Sequence, residues 1–223
     1  METNRLSDFL KFIQKEILPA TEDIGTLADA NRKHVQKLVY TNLIDRFDSM
    51  IDGAILDNCR EPFLVQEAAK RLTQPITESD LLQLLMQSNN IQDVVDTKLK
   101  DALREVVLRK RHSRKLSKLF KVLQPDQECW NIPRVNVSVG AIIDRIKPYH
   151  KTIPYSICGY ADWLYSRRNS VVHGAGTTKF LDKDIVQLKK LFKCKPAKTI
   201  RIQLSSVKTA AAFYKSVVEL LVL

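Results

Sequence analysis

The sequence predicts a mostly α-helical fold: a single helical bundle domain with long N-terminal helices and one small β-hairpin near residues 192–204. Three observations carry this expectation. Apolar residues recur at helical spacing through most of the chain. Only 6 Gly and 8 Pro interrupt 223 residues, too few for the many turns of an all-β architecture. One short stretch, from Ile200 to Leu204, alternates apolar and polar residues as a strand does. No internal repeat or low-complexity linker divides the chain, so residues 1–223 read as one domain.

The elements follow in order. Leu6, Phe9, Leu10, Ile13 and Ile17 mark a first helix that should end near Leu18, because Pro19 follows. Thr21 has the chemistry of an N-cap. It introduces a long second helix with Ile24, Leu27, Ala28, Val35, Leu38, Val39, Phe47 and Ile51 on one stripe, and Gly53 marks an end or kink. Pro62 opens a short helix over 62–73. Thr77 caps the next, which carries Leu81, Leu82, Leu84 and Leu85. A helix over 91–108 continues into a basic segment over 109–121. Pro125 and Pro133 bound a loop around Cys129 and Trp130. Val139 to Ile146 read as a helix stopped before Pro148, and a further helix follows Pro154. A helix over Asp182 to Phe192 and a last one from about Ser206 complete the chain.

Composition narrows the function. Residues 1–97 hold 16 acidic and 10 basic residues; residues 98–223 hold 9 acidic and 26 basic ones, which gives the net charge of +11. So uneven a split suits a polyanionic partner, nucleic acid ahead of a membrane surface, since no basic amphipathic helix with exposed aromatics stands out. The N-terminus shows neither a signal peptide nor a membrane span. The cysteines Cys59, Cys129, Cys158 and Cys194 form no C-x-x-C pair and have no His cluster beside them. They read as reduced thiols filling the core of a cytoplasmic protein. No phosphate loop, dinucleotide fingerprint, nucleophile elbow or metal-ligand set is present, so neither a cofactor nor a metal is expected.

The segment Arg167-Arg168-Asn169-Ser170-Val171-Val172-His173-Gly174 concentrates the chemistry. A guanidinium grips a phosphate bidentately, and an imidazole moves protons near neutral pH. The spacing alone says little, because Arg145 and His150 repeat it by accident with Pro148 between them. The context says more. Asn169 and His173 are four apart and share a helix face. Arg168 and His173 lie about 140° apart on an ideal helix, so they converge only if Arg168 reaches around or the helix ends at His173. Gly174 suits that end, because it tolerates left-handed backbone angles. Arg168 also falls on the apolar stripe of Ile157, Ala161 and Leu164, where a guanidinium needs a partner or a phosphate.

The run from Ala161 to Gly174 resembles the signature of the HEPN superfamily. It is most similar to the RiboL-PSP-like branch, in which an apolar helix runs into Arg-Asn-x-x-x-His-Gly. The resemblance covers about 20 residues; elsewhere the chain agrees only as a helical protein. It implies a metal-independent endoribonuclease that works as a homodimer with a composite site, in toxin–antitoxin, antiphage or RNA-processing systems. Arg168 would then bind and polarise the scissile phosphate, His173 would act as general acid and base, and Asn169 would orient one of them or the substrate. A related branch has a Tyr two residues after the His. This chain has Ala175 there, which puts regulation by modification of that Tyr in doubt.

Arg109, Lys110, Arg111, Arg114, Lys115, Lys118 and Lys121 form a run without an acid. With Arg167 they are the expected contacts to the RNA backbone. His112, inside the run, reads as exposed, and His34 as structural. Trp130 and Trp163 read as packing residues rather than base-stacking ones. Two alternatives remain open: a catalytically silent RNA- or protein-binding module, and a structural subunit of a larger defence complex, silent until its partner or an invader signal arrives; an antitoxin or a defence complex is the further partner expected.

Overall fold

The computed structural model describes residues 3–72, 77–87, 91–136, 141–142, 156–173 and 201–222. The fold is mostly α-helical, as the periodicity predicts. Its helices are α1 (Asn4–Phe12), α2 (Leu18–Thr26), α3 (Asp29–Asp57), α4 (Pro62–Ala69), α5 (Glu78–Gln87), α6 (Ile91–Leu103), α7 (His112–Leu123), α8 (Ile157–His173) and α9 (Leu204–Val222). β1 (Val135–Asn136) pairs antiparallel with β2 (Ala141–Ile142), with Val135 opposite Ile142.

The first helix does not stop at Pro19. A wide turn over Ile13–Ile17 joins α1 to α2, and the Leu18 N–H reaches back to the Ile13 carbonyl. Proline lacks an N–H and crowds the carbonyl four residues earlier. A locally widened helix absorbs both defects, so the chain continues with Pro19 in the first turn of α2. Thr21 is therefore not a cap. It is buried inside α2, and its hydroxyl donates to the Leu18 carbonyl at 2.7 Å. The break comes later, at Leu27 and Ala28, both extended with ψ near 150°. Asp29 then opens α3, paired with Arg32 at 2.6 Å and Lys33 at 2.5 Å in the same turn.

α3 is the spine. Tyr40, Leu43, Ile44, Phe47, Ile51 and Ile55 are fully buried along it, and α1, α7, α8 and α9 pack around it. Leu27 and Leu38, expected on the buried stripe, are exposed, and so is His34. Of the rest of that stripe, Ile24, Phe47 and Ile51 are buried and Val39 packs against the core. α3 runs through Gly53 without a stop. The glycine lets Arg5 cross: a Cβ there would come within 2.5 Å of the Arg5 side chain, which reaches on to pair with Asp57. α4 and α5 start where Pro62 and Thr77 place them. α6 passes through a second widened turn over Arg104–Leu108, and the chain breaks before α7 at Arg111, with ψ 150°.

Two strand and helix expectations need correction. The helix expected over 139–146 is replaced in its described part by β2. Val135, Val137 and Val139 alternate with polar residues ahead of Gly140, a period-2 pattern that outweighs the apolar run after it. The hairpin near 192–204 is not formed in its described part: residues 201–203 are unpaired coil and Leu204 begins α9. The side chain of Ser206 there accepts from the Gln203 N–H at 3.3 Å, which favours starting a helix. Residues 192–200, the helix expected over Asp182 to Phe192 and the Arg145–His150 pair lie outside the described residues.

The cysteines also depart from expectation. Cys129 and Cys158 form a disulfide, with Cα atoms 5.8 Å apart, and Cys59 is a buried free thiol. The loop after α7 returns to the start of α8, where Ile157 N–H donates to Ile132 C=O at 3.0 Å and Pro133 bridges Ser156. A tertiary return over 29 residues leaves no signal in cysteine spacing. Cys194 lies outside the described residues. Among the described residues no helix is long and apolar enough to cross a membrane.

Candidate functional site

The site is built on α8 where it crosses α3 and α7. Ile157, Ala161 and Leu164 turn into the core and fix the rotation of the helix. That rotation sends Arg168 toward α3. Its Nε lies 2.8 Å from Asp45 Oδ1, its Nη2 donates to Asp45 Oδ2 at 2.9 Å, and its Nη1 donates to Asn169 Oδ1 at 3.0 Å. The guanidinium that the apolar stripe left in need of a partner thus has one. The Arg168 side chain is 20% exposed and that of Asp45 45%, so the pair sits at the protein surface. His173 is the last residue of α8 and is exposed. Gly174 and Ala175 lie outside the described residues.

Arg167 points the other way. Its guanidinium lies 4.6 Å from the Trp163 ring centroid, and its Nη2 donates to the Arg201 carbonyl at 3.1 Å. Trp163 and Trp130 pack against the core, as expected.

The basic run divides sharply. Lys115 is buried, with its Nζ 2.7 Å from Asp48 and 2.6 Å from Asp52. It is therefore not a surface contact for RNA. Lys118 pairs with Glu67 at 2.9 Å and lies 4.8 Å from the Phe63 ring centroid. Arg109 pairs with Glu105 at 2.5 Å within one turn. Arg111 lies 3.9 Å from Asp162, which also accepts from Ser113 N at 3.0 Å and Ser113 Oγ at 2.7 Å. Asp162 thus places a carboxylate at the N-terminus of α7, where the helix dipole favours it. Lys110 and Arg114 are exposed. Amphipathic helix geometry explains the division: α7 buries Leu116, Leu119, Phe120 and Leu123, and the positions beside that stripe go in with it.

His112 corrects another expectation. Its side chain is fully buried, with Nδ1 2.7 Å from Asp48 Oδ1. The ring stacks on Tyr165 at 5.1 Å, and among the described residues its Nε2 has no hydrogen-bond partner. Burial alone would push the Asp48 carboxyl up, but the His112 contact and the Lys115 ammonium hold it below the usual carboxylate range. Asp52 goes the other way, since burial outweighs its contact with Lys115. Burial likewise raises the Tyr165 hydroxyl.

The feature that sequence reasoning missed is the acidic ladder. Asp45, Asp48 and Asp52 sit at i, i+3 and i+7 on α3, and meet Arg168, His112 and Lys115 from two other helices. The signal was present: three carboxylates at helical spacing beside Ile44, Phe47, Ile51 and Ile55 need cationic partners. Among the described residues no group of three or more His, Cys, Asp or Glu is placed to hold a metal ion.

No protein-family model, no curated protein and no solved structure matches the chain.

Proposed function

We propose that the protein is a HEPN-like endoribonuclease that needs no metal and works as a homodimer in toxin–antitoxin or antiphage defence. The observation that carries this reading is the end of α8, where a guanidinium held by a carboxylate, and an amide oxygen that accepts from that guanidinium, precede an exposed imidazole by about one turn. Arg168 has five N–H donors. The hydrogen bonds to Asn169 and Asp45 take one proton on each terminal nitrogen, while Nε lies 2.8 Å from Asp45 Oδ1 without an aligned hydrogen bond; the second proton on each terminal nitrogen is left for a phosphate.

In this reading, His173 removes the proton from a ribose 2′-hydroxyl, and the oxygen attacks the adjacent phosphorus. Arg168 stabilises the added negative charge on the phosphorane-like transition state. The 5′-oxygen leaves with a proton from an imidazolium, supplied in a composite site by His173 of the second copy. The products are a 2′,3′-cyclic phosphate and a 5′-hydroxyl. DNA, lacking the 2′-hydroxyl, resists. Lys110 and Arg114 provide exposed cations for the RNA backbone.

One observation favours a second reading, a silent RNA- or protein-binding subunit of a larger complex. The Asp45 carboxylate already neutralises Arg168 and competes with an incoming phosphate. The test is incubation of the purified protein with RNA and, in parallel, with DNA of the same sequence, in the presence of a chelator. The nuclease reading expects RNA cleavage alone, lost in His173→Ala. RNA binding without turnover by a dimeric wild-type protein would favour the silent reading.

A further inference from the structure

A cavity of about 220 Å³ opens where the middle of α8 meets α3 and the first turns of α9. Eight residues line it, and their chemistry is one-sided. Arg167 is the sole charged side chain among them, five others carry hydroxyls, and none is a carboxylate. The Trp163 ring and the Arg201 carbonyl hold the guanidinium in the wall of the cavity. The carbonyl takes one of its five N–H donors and the Tyr40 hydroxyl is a second partner, which leaves donors for a ligand. Ser205, Ser206 and Thr209 line it from α9 and Tyr160 from α8, while the Tyr40 hydroxyl, from α3, already donates to the Leu164 carbonyl at 3.3 Å.

Two cations flank this cavity, Arg167 in its lining and Arg134 beyond Tyr160. Behind Tyr160 lies Arg134, 4.4 Å from the ring centroid and 8% exposed. Burial pushes the Tyr160 hydroxyl up, while Arg134 and Arg167 both pull against that rise. The phenol is thus a hydrogen-bond donor at neutral pH. The neighbouring cavity continues the trend. Arg201, Lys37, Lys33 and Arg32 line it, and the single carboxylate there, Asp29, pairs with Lys33 and Arg32. Size sets the ligand. The volume is below the roughly 300 Å³ where drug-sized pockets begin and equals that of about seven waters. That volume suits a group the size of a phosphate better than a whole nucleotide.

We propose that this cavity binds a phosphate group, carried by a free nucleotide or by an RNA strand lying across it. A guanidinium with hydroxyl donors and no competing acid is the arrangement that recognises such an anion. The site stands whether or not Arg168 and His173 cleave RNA, because Arg167 faces α9 and Arg168 faces Asp45.

The test follows the emission of Trp163 in a Trp130→Phe background, so that one indole reports. Inorganic phosphate is titrated against chloride at equal ionic strength, then AMP against adenosine. The expected result is a saturable change with phosphate and AMP alone. Arg167→Leu should weaken it about tenfold or more, as loss of a charged hydrogen-bonding group does. The paired change Ser205→Ala with Thr209→Val should weaken it a few-fold, and it decides the matter if Arg167→Leu does not fold. Short single-stranded RNA separates the sources. If Arg167→Leu also weakens RNA binding, the phosphate belongs to an RNA backbone. If RNA binding is intact while phosphate and AMP binding are lost, it belongs to a free nucleotide. No saturable response in the wild-type protein, or folded variants that bind phosphate like wild type, would overturn the proposal.

Discussion

Lys115 lies in the most basic stretch of the chain, yet the structure gives it an internal task. Replacing it with Met keeps most of the aliphatic stem and removes only the ammonium. Two carboxylates, Asp48 and Asp52, then face each other without their shared cation. Breaking a buried ion pair by removing one partner costs about 3–5 kcal/mol, against about 0–1 kcal/mol for an exposed pair. The Lys115 side chain is 5% exposed, but those of Asp48 and Asp52 are 23% and 31% exposed. Partial solvation of the acids puts the expectation at the lower end, about 3 kcal/mol. For a chain of this size that is a fall in Tm of roughly 6–12 °C. The pH dependence has a sign. Asp48 titrates low in the folded state, so its stabilising contribution is present above its unfolded pKa and lost as pH falls through the folded value. Asp52 titrates high, so it contributes most when protonated and loses that contribution as pH rises through its folded pKa. Without Lys115 both carboxyls titrate higher, and protonation relieves them. The penalty is therefore largest at neutral pH and shrinks toward the carboxylate range. Urea unfolding followed by circular dichroism, at pH 7 and near pH 4.5, measures it. A cost below about 1 kcal/mol at pH 7 would match a surface pair and refute the reasoning. So would an equal cost at both pH values.

Further outcomes are expected from other parts of the molecule. Reducing the Cys129–Cys158 disulfide, or replacing Cys158 by Ala, opens a 29-residue loop, and should destabilise the fold by about 3.6 kcal/mol on the chain-entropy estimate; thermal melts with and without reductant read it. Lys110→Glu with Arg114→Glu should weaken RNA binding and flatten its dependence on the logarithm of salt by about 0.7 for every phosphate the protein no longer neutralises. Once the binding is measured well below the unfolding transition, Lys115→Met should leave that affinity unchanged, as fluorescence anisotropy would show. Asp45→Asn should free Arg168 and raise RNA affinity, at a stability cost of about 1 kcal/mol or less, since Asp45 is half exposed. Unchanged affinity would show that Asp45 does not compete with the phosphate.

The helices were legible where one periodic pattern acted alone. α4, α6 and α8 lie close to where their apolar spacing and bounding residues put them. The errors came where tertiary structure overrode a local rule. Pro19 reads as a stop, but a widened turn upstream removes the conflict. Leu27 and Leu38 look like core residues, yet Leu27 falls at the extended break after α2 and Leu38 on a face of α3 left exposed among the described residues. The site was half legible. Arg168 announced its need for a partner by lying on an apolar stripe, but the partner, Asp45, is 123 residues away. Charge runs misled for the same reason. The seven cations of the run become an internal ion pair at Lys115, pairs with nearby acids at Arg109, Arg111 and Lys118, and exposed cations at Lys110, Arg114 and Lys121. Only the packing of α7 against α3 sorts them. His112 was assigned to the surface by its basic neighbours, while its own helix position, beside Leu116, puts it in the core.

The most direct test is the chemistry of the cut end. Wild-type protein and His173→Ala are incubated with the same RNA under chelation, and the products are analysed by mass. His173 is exposed at a helix end, so the variant should keep the wild-type melting temperature. The expected result is a 2′,3′-cyclic phosphate opposite a 5′-hydroxyl in the wild-type products, and intact RNA with the variant. Ends bearing a 3′-hydroxyl and 5′-phosphate, or equal cleavage by the variant, would contradict the assignment of His173.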